Sequence, residues 1–517
     1  MSRPHQHALG SLGSSSTLVS LAIAYLGVGL AGCAGALAGW RYDIPKIDET
    51  AAPSREVVTQ LELAKNLTLV TVERRLLPLV VIEFGWARGR LDDPKDRSGL
   101  AVLFGVAWAY GRCGRGGERL ADSFAPMGGS FAVMTDRDSS TVRLEVSEDF
   151  LAPALERLAA CLGQLELDEL ALETARASRI AALRRDAHDP ETLAWLALEE
   201  EVYGTRVGAA GGASATTLTH ITLADLDAEL ARMRQTRWVV ALAGRITHMQ
   251  AVELIARTLG AVPRLPANRV DSPANGDTAA VDAVAIGTSG TSALGLHVDG
   301  RDQLPVVFVP VPGLKEALVA TSCLKQAATP QLDVLLASAL DARVAYLQGK
   351  VFDDAYTVDH WRASSRAGER LWLQTKVMAK SALTALTGLR APLYKIRAVA
   401  HDEDGLRALR HALLLDTDTS GASLAGLAQL AVRWALMRRP MDWNVRRRAA
   451  ADAFSRDAFA AALQPDFLAG WHTALVGDPA ILVPLLEQAK IAYVTWTPGD
   501  PRSLARDAAV ASSTAGR

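Results

Sequence analysis

The chain has 517 residues, 49% of them hydrophobic and 22% charged, with a formal net charge of −2. That length supports about two to four compact units, each able to bury a sizeable core. The balance of acids and bases excludes a nucleic-acid surface built on excess positive charge, and Arg446–Arg448 reads as a solvated helix face.

Residues 1–33 read as an export signal, in which Arg3 and two early His precede the apolar run Leu18–Leu30. The run is shorter than a membrane span. It ends in Leu30-Ala31-Gly32-Cys33, which resembles the lipobox of bacterial lipoproteins. That resemblance implies lipid attachment at Cys33 and a lipid-anchored place on the periplasmic side of the cell envelope. Ala34 follows rather than Asp, which by the same resemblance favours the outer membrane. The alternative is an uncleaved anchor helix. Residues 34–55 lack a sustained period and read as a tether. The other cysteines, Cys113, Cys161 and Cys323, form no CxxC or Cys/His cluster, so they are read as buried thiols rather than zinc ligands or disulfide partners.

A first unit is predicted over residues 56–260. Leu67–Val72 and Pro78–Phe84 are strand-like and rich in β-branched residues. An apolar helix follows over Ser98–Gly111, then a short amphipathic helix near Glu118–Pro126 and a hairpin over Gly128–Val146. Helices are expected at Asp149–Leu165, Asp168–Arg185 and Glu191–Tyr203. Thr217–Met233 has helical period, with Thr222 as a cap and Asp225 three residues on. Trp238–Gly260 reads as strand, Gly turn and helix.

Residues 261–287 read as a linker, residues 288–498 as a second unit and 499–517 as a flexible tail. The second unit has strand-like Val306–Pro312, a helix at Gln331–Leu347, and strand-like stretches DDAYTVDHW and ERLWLQTKV. It closes on Trp471–Lys490, where Trp471-x-x-Ala474-Leu475-x-Gly477 repeats Trp238-x-x-Ala241-Leu242-x-Gly244. Both copies lie before a helix, so the two halves are predicted to share one topology.

The order of strand, turn, Gly99-Leu100-Ala101 and helix resembles the opening of the pitrilysin/insulinase zinc metallopeptidases. In that family the helix carries His-x-x-Glu-His. Two His at i and i+4 share one face and hold zinc, and the Glu polarises the metal-bound water. Here both His positions are valine, Val102 and Val106, and the Glu position is Gly105. Counting back from Asp189-Pro190 places the third ligand position at Ala182. The second half of the family supplies an Arg and a Tyr that hold the substrate. The matching stretch keeps Tyr356 but has Gly349 at the Arg position, with Lys350 one residue away. The remaining histidines contain no i, i+4 pair.

The resemblance implies an α+β fold of two homologous pitrilysin-like halves, each with antiparallel sheet and helices on one face. It implies no catalytic residues and no metal or other cofactor. It leaves Tyr356 and Lys350 as substrate-binding candidates and Cys33 as the lipid site. The function implied is that of a non-catalytic peptidase homologue, tethered to a membrane, which holds peptide substrate as the partner of a zinc-bearing pitrilysin-like subunit. Nucleic acid is not an expected partner. A stand-alone envelope binding or assembly module is the alternative, and an active metalloendopeptidase with unrecognised ligands is a third.

Overall fold

The computed structural model describes residues 57–75, 77–113, 117–203, 213–262, 304–325, 358–365, 368–390, 423–453 and 470–497, with a few further positions in 329–337 and at 455 and 457. Cys33, Lys350, Tyr356, the tether and the tail lie outside the described residues, as does nearly all of the predicted linker.

The first half opens with β1 (Val57–Ala64), β2 (Leu67–Glu73), β3 (Leu79–Trp86), α1 (Leu100–Tyr110) and β4 (Arg112–Cys113). It continues with the hairpin β5 (Ser130–Thr135) and β6 (Ser140–Ser147), then α2 (Leu151–Gln164), β7 (Leu165–Glu166), α3 (Glu169–Asp186) and α4 (Pro190–Tyr203). It ends with α5 (Ala215–His220), α6 (Leu223–Gln235), β8 (Trp238–Gly244) and α7 (His248–Arg257). The second half has β9 (Val306–Pro310), β10 (Glu316–Lys325), β11 (Val358–Ser365), β12 (Gly368–Met378) and α8 (Ala382–Leu389). After these come α9 (Leu424–Leu436), α10 (Trp443–Asp452), β13 (His472–Gly477), α11 (Pro479–Gln488) and β14 (Tyr493–Thr495).

Two six-stranded sheets carry the fold, in the orders β1-β2-β8-β3-β6-β5 and β11-β12-β10-β13-β9-β14. The repeated Trp-x-x-Ala-Leu-x-Gly stretch occupies the same place in both. β8 runs parallel to β2 and antiparallel to β3, pairing Ala241 with Val70 and Glu83. β13 runs parallel to β9 and antiparallel to β10, pairing Ala474 with Val307 and Ala320. Five strand positions therefore correspond, and the sixth is filled differently. β1 pairs antiparallel with β2, whereas β14 pairs parallel with β9. Each sheet is thus antiparallel for the most part, with a parallel pair beside its repeated strand. Gly244 ends β8 at φ 137°, and a Cβ there would stand 2.2 Å from the Leu79 carbonyl oxygen, so only glycine fits.

Each sheet buries one face under helices of its own half. In the first, Leu67, Ile82, Phe84, Leu144, Val240 and Leu242 pack with residues of α1, α2, α6 and α7. In the second, Phe308, Val319, Leu373 and Leu475 pack with Ala382, Leu386, Leu389, Leu482 and Leu486. The other face of each sheet is covered by a helix from the opposite half. Ala428, Ala431, Val432 and Ala435 of α9 lie on Val70, Val72, Val81, Val239, Ala241 and Ala243 of the first sheet. Leu193, Ala194, Ala197 and Leu198 of α4 lie on Val307, Val309, Leu318, Ala474 and Val476 of the second. Strands buried on both faces are accordingly continuous apolar runs, as in β8, where every residue is buried.

Two sequence expectations are corrected, that of a helix near Glu118–Pro126 and that of free thiols at Cys113 and Cys161. The stretch near Glu118–Pro126 forms a 3-10 turn over Asp122–Met127, because Pro126 and the left-handed Gly128 leave no room for an α-helix to propagate. The expected Thr222 cap is present, starting α6 in a reciprocal capping box with Asp225, and Ala215–His220 forms the separate short helix α5. Cys113 and Cys161 are joined by a disulfide, which ties β4 to α2, while Cys323 is buried in β10. No helix among the described residues is long and apolar enough to cross a membrane.

Candidate functional site

The helix α1 is apolar on nearly every side, as its sequence requires. Leu100, Ala101, Leu103, Phe104, Gly105, Ala107 and Trp108 are buried, and Trp86 meets Phe104 and Trp108 edge-on at 6.4 and 5.6 Å. Its start is fixed from outside the helix. Gly99, at φ 95°, is the N-cap and has no side chain to cap with. Asp93 does so instead, accepting the backbone N–H groups of Gly99 at 2.8 Å and Ala101 at 2.9 Å. Burial pushes the Asp93 carboxyl up to about 7, against the pull of those two N–H groups. Glu229 adds to the rise, and Arg88, which grips Glu229 at 2.5 Å, opposes it.

The positions expected from the sequence to correspond to the zinc motif are Val102, Gly105 and Val106 of α1 and Ala182 of α3. Val102 and Val106 are half-buried, and Val106 packs on the first core. Gly105 is buried where β5 passes over the helix. A Cβ on it would stand 3.0 Å from Thr135 Oγ1 and 3.1 Å from Val133 Cγ1. The Thr135 hydroxyl donates to the Ala101 carbonyl at 3.5 Å, which ties the strand to the helix at this level. α3 packs beside α1. Its Ala182 is half-buried, and Ile180 and Leu183 rest on the same core as Val106. Valine, glycine and alanine offer no lone pair to a metal and no acceptor for a proton. Among the described residues, no group of three or more His, Cys, Asp or Glu is placed to hold a metal ion.

A second cluster was not foreseen from the sequence. It lies where the two halves meet and is built on Glu199 of α4, which is 3% exposed. Arg137, from the β5–β6 turn, donates through Nε to Glu199 at 2.9 Å, and Arg90 lies 3.7 Å from the same carboxylate. Arg370 of β12 stands 4.0 Å away, 1% exposed, and donates to Ser322 Oγ at 2.9 Å and the Trp195 carbonyl at 3.2 Å. Burial opposes the charge of Glu199, but Arg90, Arg137 and Arg370 together outweigh it and hold the carboxyl below its ordinary value. The contributing positions are scattered from residue 90 to residue 370, so no local pattern marks them. Glu199 is the first of three consecutive glutamates in α4, so nothing in the sequence singles it out.

Comparison with known proteins places this geometry among peptidase-like folds. No family model matches the chain. A Helicobacter pylori protein described as the non-peptidase homologue YmxG is 27% identical over 205 residues, 38% of this chain and 46% of that protein. The matched region thus spans under half of that relative. The crystal structure of a peptidase M16 inactive domain from Pseudomonas fluorescens matches with a TM-score of 0.65 at 17% identity, over 82% of this chain and 98% of that one. The periplasmic protease PqqL from Escherichia coli matches with a TM-score of 0.59 at 15% identity, over 83% of this chain and 47% of that one. The fold is therefore that of the M16, pitrilysin-like proteins, in the α+β form of two halves.

Proposed function

We propose that this chain is a non-catalytic pitrilysin-like protein of the cell envelope, which holds peptide as the partner of a zinc-bearing pitrilysin-like subunit. The observation that carries this reading is the retained helix α1, with Val102, Gly105 and Val106 in place of the zinc motif and Ala182 on the adjoining α3. The descriptions of the similar proteins as a non-peptidase homologue and an inactive domain agree with it. The match to about half of PqqL supports a two-chain arrangement, in which a separate chain supplies the other half. In that arrangement Tyr356 and Lys350 contact the substrate backbone.

The envelope location rests on the leader-like residues 1–33, on the periplasmic source of the PqqL structure, and on the Cys113–Cys161 disulfide, which suits an oxidising compartment. Cys33 is the proposed lipid site. Cys33→Ser should leave an uncleaved precursor without lipid, and unchanged mobility and membrane partition would refute the assignment.

The functional test is reconstitution. The purified chain should neither hold stoichiometric zinc nor cleave peptides alone. Mixed with a His-x-x-Glu-His homologue encoded beside it, it should co-elute and raise peptide hydrolysis. One zinc per chain with hydrolysis by this chain alone would overturn the reading, and failure to associate would favour a stand-alone binding module.

A further inference from the structure

We propose that the arginine cluster between the two halves is a binding site for a small oxyanion, a phosphate or the terminal carboxylate of a peptide. The proposal does not depend on a zinc-bearing partner, because it rests on the charge and hydrogen-bond balance of the cluster itself.

Three guanidinium groups, from Arg90, Arg137 and Arg370, converge on the single carboxylate of Glu199. The group is left with an excess of positive charge in a largely buried place. Two acids beside cluster members are committed elsewhere. Glu369 accepts from Arg439 at 2.6 Å, and Asp136 accepts from Arg433 at 2.9 Å. A fourth arginine, Arg179 of α3, is close enough to Arg90 to feel its charge, and its nearest acid, Asp186, is 3.8 Å away.

Hydrogen bonding is short in the same place. Among the described residues, Arg90 Nε, Arg137 Nη2, Arg179 Nε and Arg370 Nη1 are buried and have no hydrogen-bond partner. Buried guanidinium nitrogens are expensive to leave bare, and an oxyanion is the kind of group that satisfies several of them at once. The side chains of Arg137 and Arg370 are 6% and 0% exposed, whereas those of Arg90 and Arg179 are 32% and 28% exposed and so reach solvent. Trp195 and Tyr203 lie against the guanidinium groups. The Arg370 guanidinium lies 3.8 Å from the Trp195 ring centre, and that of Arg137 lies 4.9 Å from both rings. The aromatic faces offset part of the excess charge and leave the guanidinium edges to the ligand.

The contributing residues come from both halves: Arg90, Arg137, Arg179 and Glu199 from the first, Arg370 from the second. An anion seated here would therefore bridge the two halves, and its binding energy would add to the stability of their contact.

The test uses the full mature chain. Thermal melting and titration calorimetry are run with sodium phosphate against sodium chloride at equal ionic strength, and with a short peptide as free acid against its C-terminal amide. Saturable stabilisation by phosphate supports the site with a free anion as ligand. Stabilisation by the free acid but not the amide supports it with a peptide end as ligand. Arg90→Gln, at the solvent border, should weaken whichever anion binds by about tenfold or more, the usual loss for one charge-assisted hydrogen bond. Glu199→Gln should be less stable than the parent without anion, yet bind it more tightly and recover stability in its presence. If neither anion stabilises the parent beyond the chloride and amide controls, or if added anion fails to rescue Glu199→Gln, the cluster is a closed internal knot and the proposal is wrong.

Discussion

Val432 of α9 lies directly on Gly85 of β3, so that a Cβ built on Gly85 would stand 2.5 Å from Val432 Cγ1. The two residues belong to different halves of the chain. Thr141 Cγ2 and Leu436 Cδ1 close the same gap at 3.2 and 3.3 Å. Gly85→Ala should therefore destabilise the protein by about 1–3 kcal/mol through overpacking. Val432→Ala should restore part of that loss in the double variant. Urea denaturation of both single variants and the double variant measures the coupling, and strict additivity would contradict the contact.

Rebuilding the zinc motif with Val102→His, Gly105→Glu and Val106→His should not create a peptidase. Position 182 still lacks a ligand, and the side chain placed at 105 meets Thr135 and Val133 within about 3 Å. The triple variant should lose stability, with each buried polar group left without a partner costing roughly 1–3 kcal/mol. Peptide hydrolysis with added zinc, at parental stability, would show that the face is an open and competent site.

Asp93 should make stability depend on pH. Its folded pKa of about 7 lies above the ordinary 3.8, so between these values the folded chain holds a proton that the unfolded chain releases. This contribution is fully present below the unfolded value and is lost as pH rises toward the folded one. The loss is at most on the order of 4 kcal/mol. His472, pushed down to about 4 by burial, acts in the opposite sense over part of this range, while Glu199, whose pKa is depressed, does so only below the ordinary carboxylate value. The clean measurement is the difference between the parent and Asp93→Asn by denaturant unfolding. The Asn variant should gain on the parent between pH 5 and pH 8, and a difference independent of pH would remove Asp93 from the account.

Breaking the Cys113–Cys161 bridge, which closes a separation of 48 residues, should cost about 2–4 kcal/mol. Melting with and without reductant reads this directly. In the native oxidised protein neither thiol should react with a maleimide, and an unchanged melting temperature under reduction would count against the bridge.

How far the sequence led depended on whether the information was local. The helix α1 and the Thr222–Asp225 capping box are each written within a few residues, and both were legible. β10 was not. Its stretch EALVATSCLK is buried on both faces over most of its length, so it shows no alternation to separate strand from helix. β1 and β14 owe their pairing to β2 and β9, partners that no pattern within either strand names. The disulfide and the Glu199 cluster join positions far apart in sequence, and only the packing of one half on the other brings them together. The covering of both sheets by exchanged helices escaped for the same reason. An Ala-rich stripe such as that of α9 shows that a helix is buried without showing on which sheet.

That exchange sets an order on how the protein is made. The first sheet is complete once β8 has left the ribosome, yet its second face stays bare until α9 follows, nearly 180 residues later. At usual synthesis rates the wait is on the order of ten seconds or more. Meanwhile α4 projects an apolar stripe whose seat has not yet been translated. A nascent chain in that condition is sticky by construction, and one kept unfolded for export must reach the far side whole before either half can close. Stop codons between residues 262 and 423 should therefore yield insoluble fragments, whereas the two halves produced together from separate genes can still seat each other's helices.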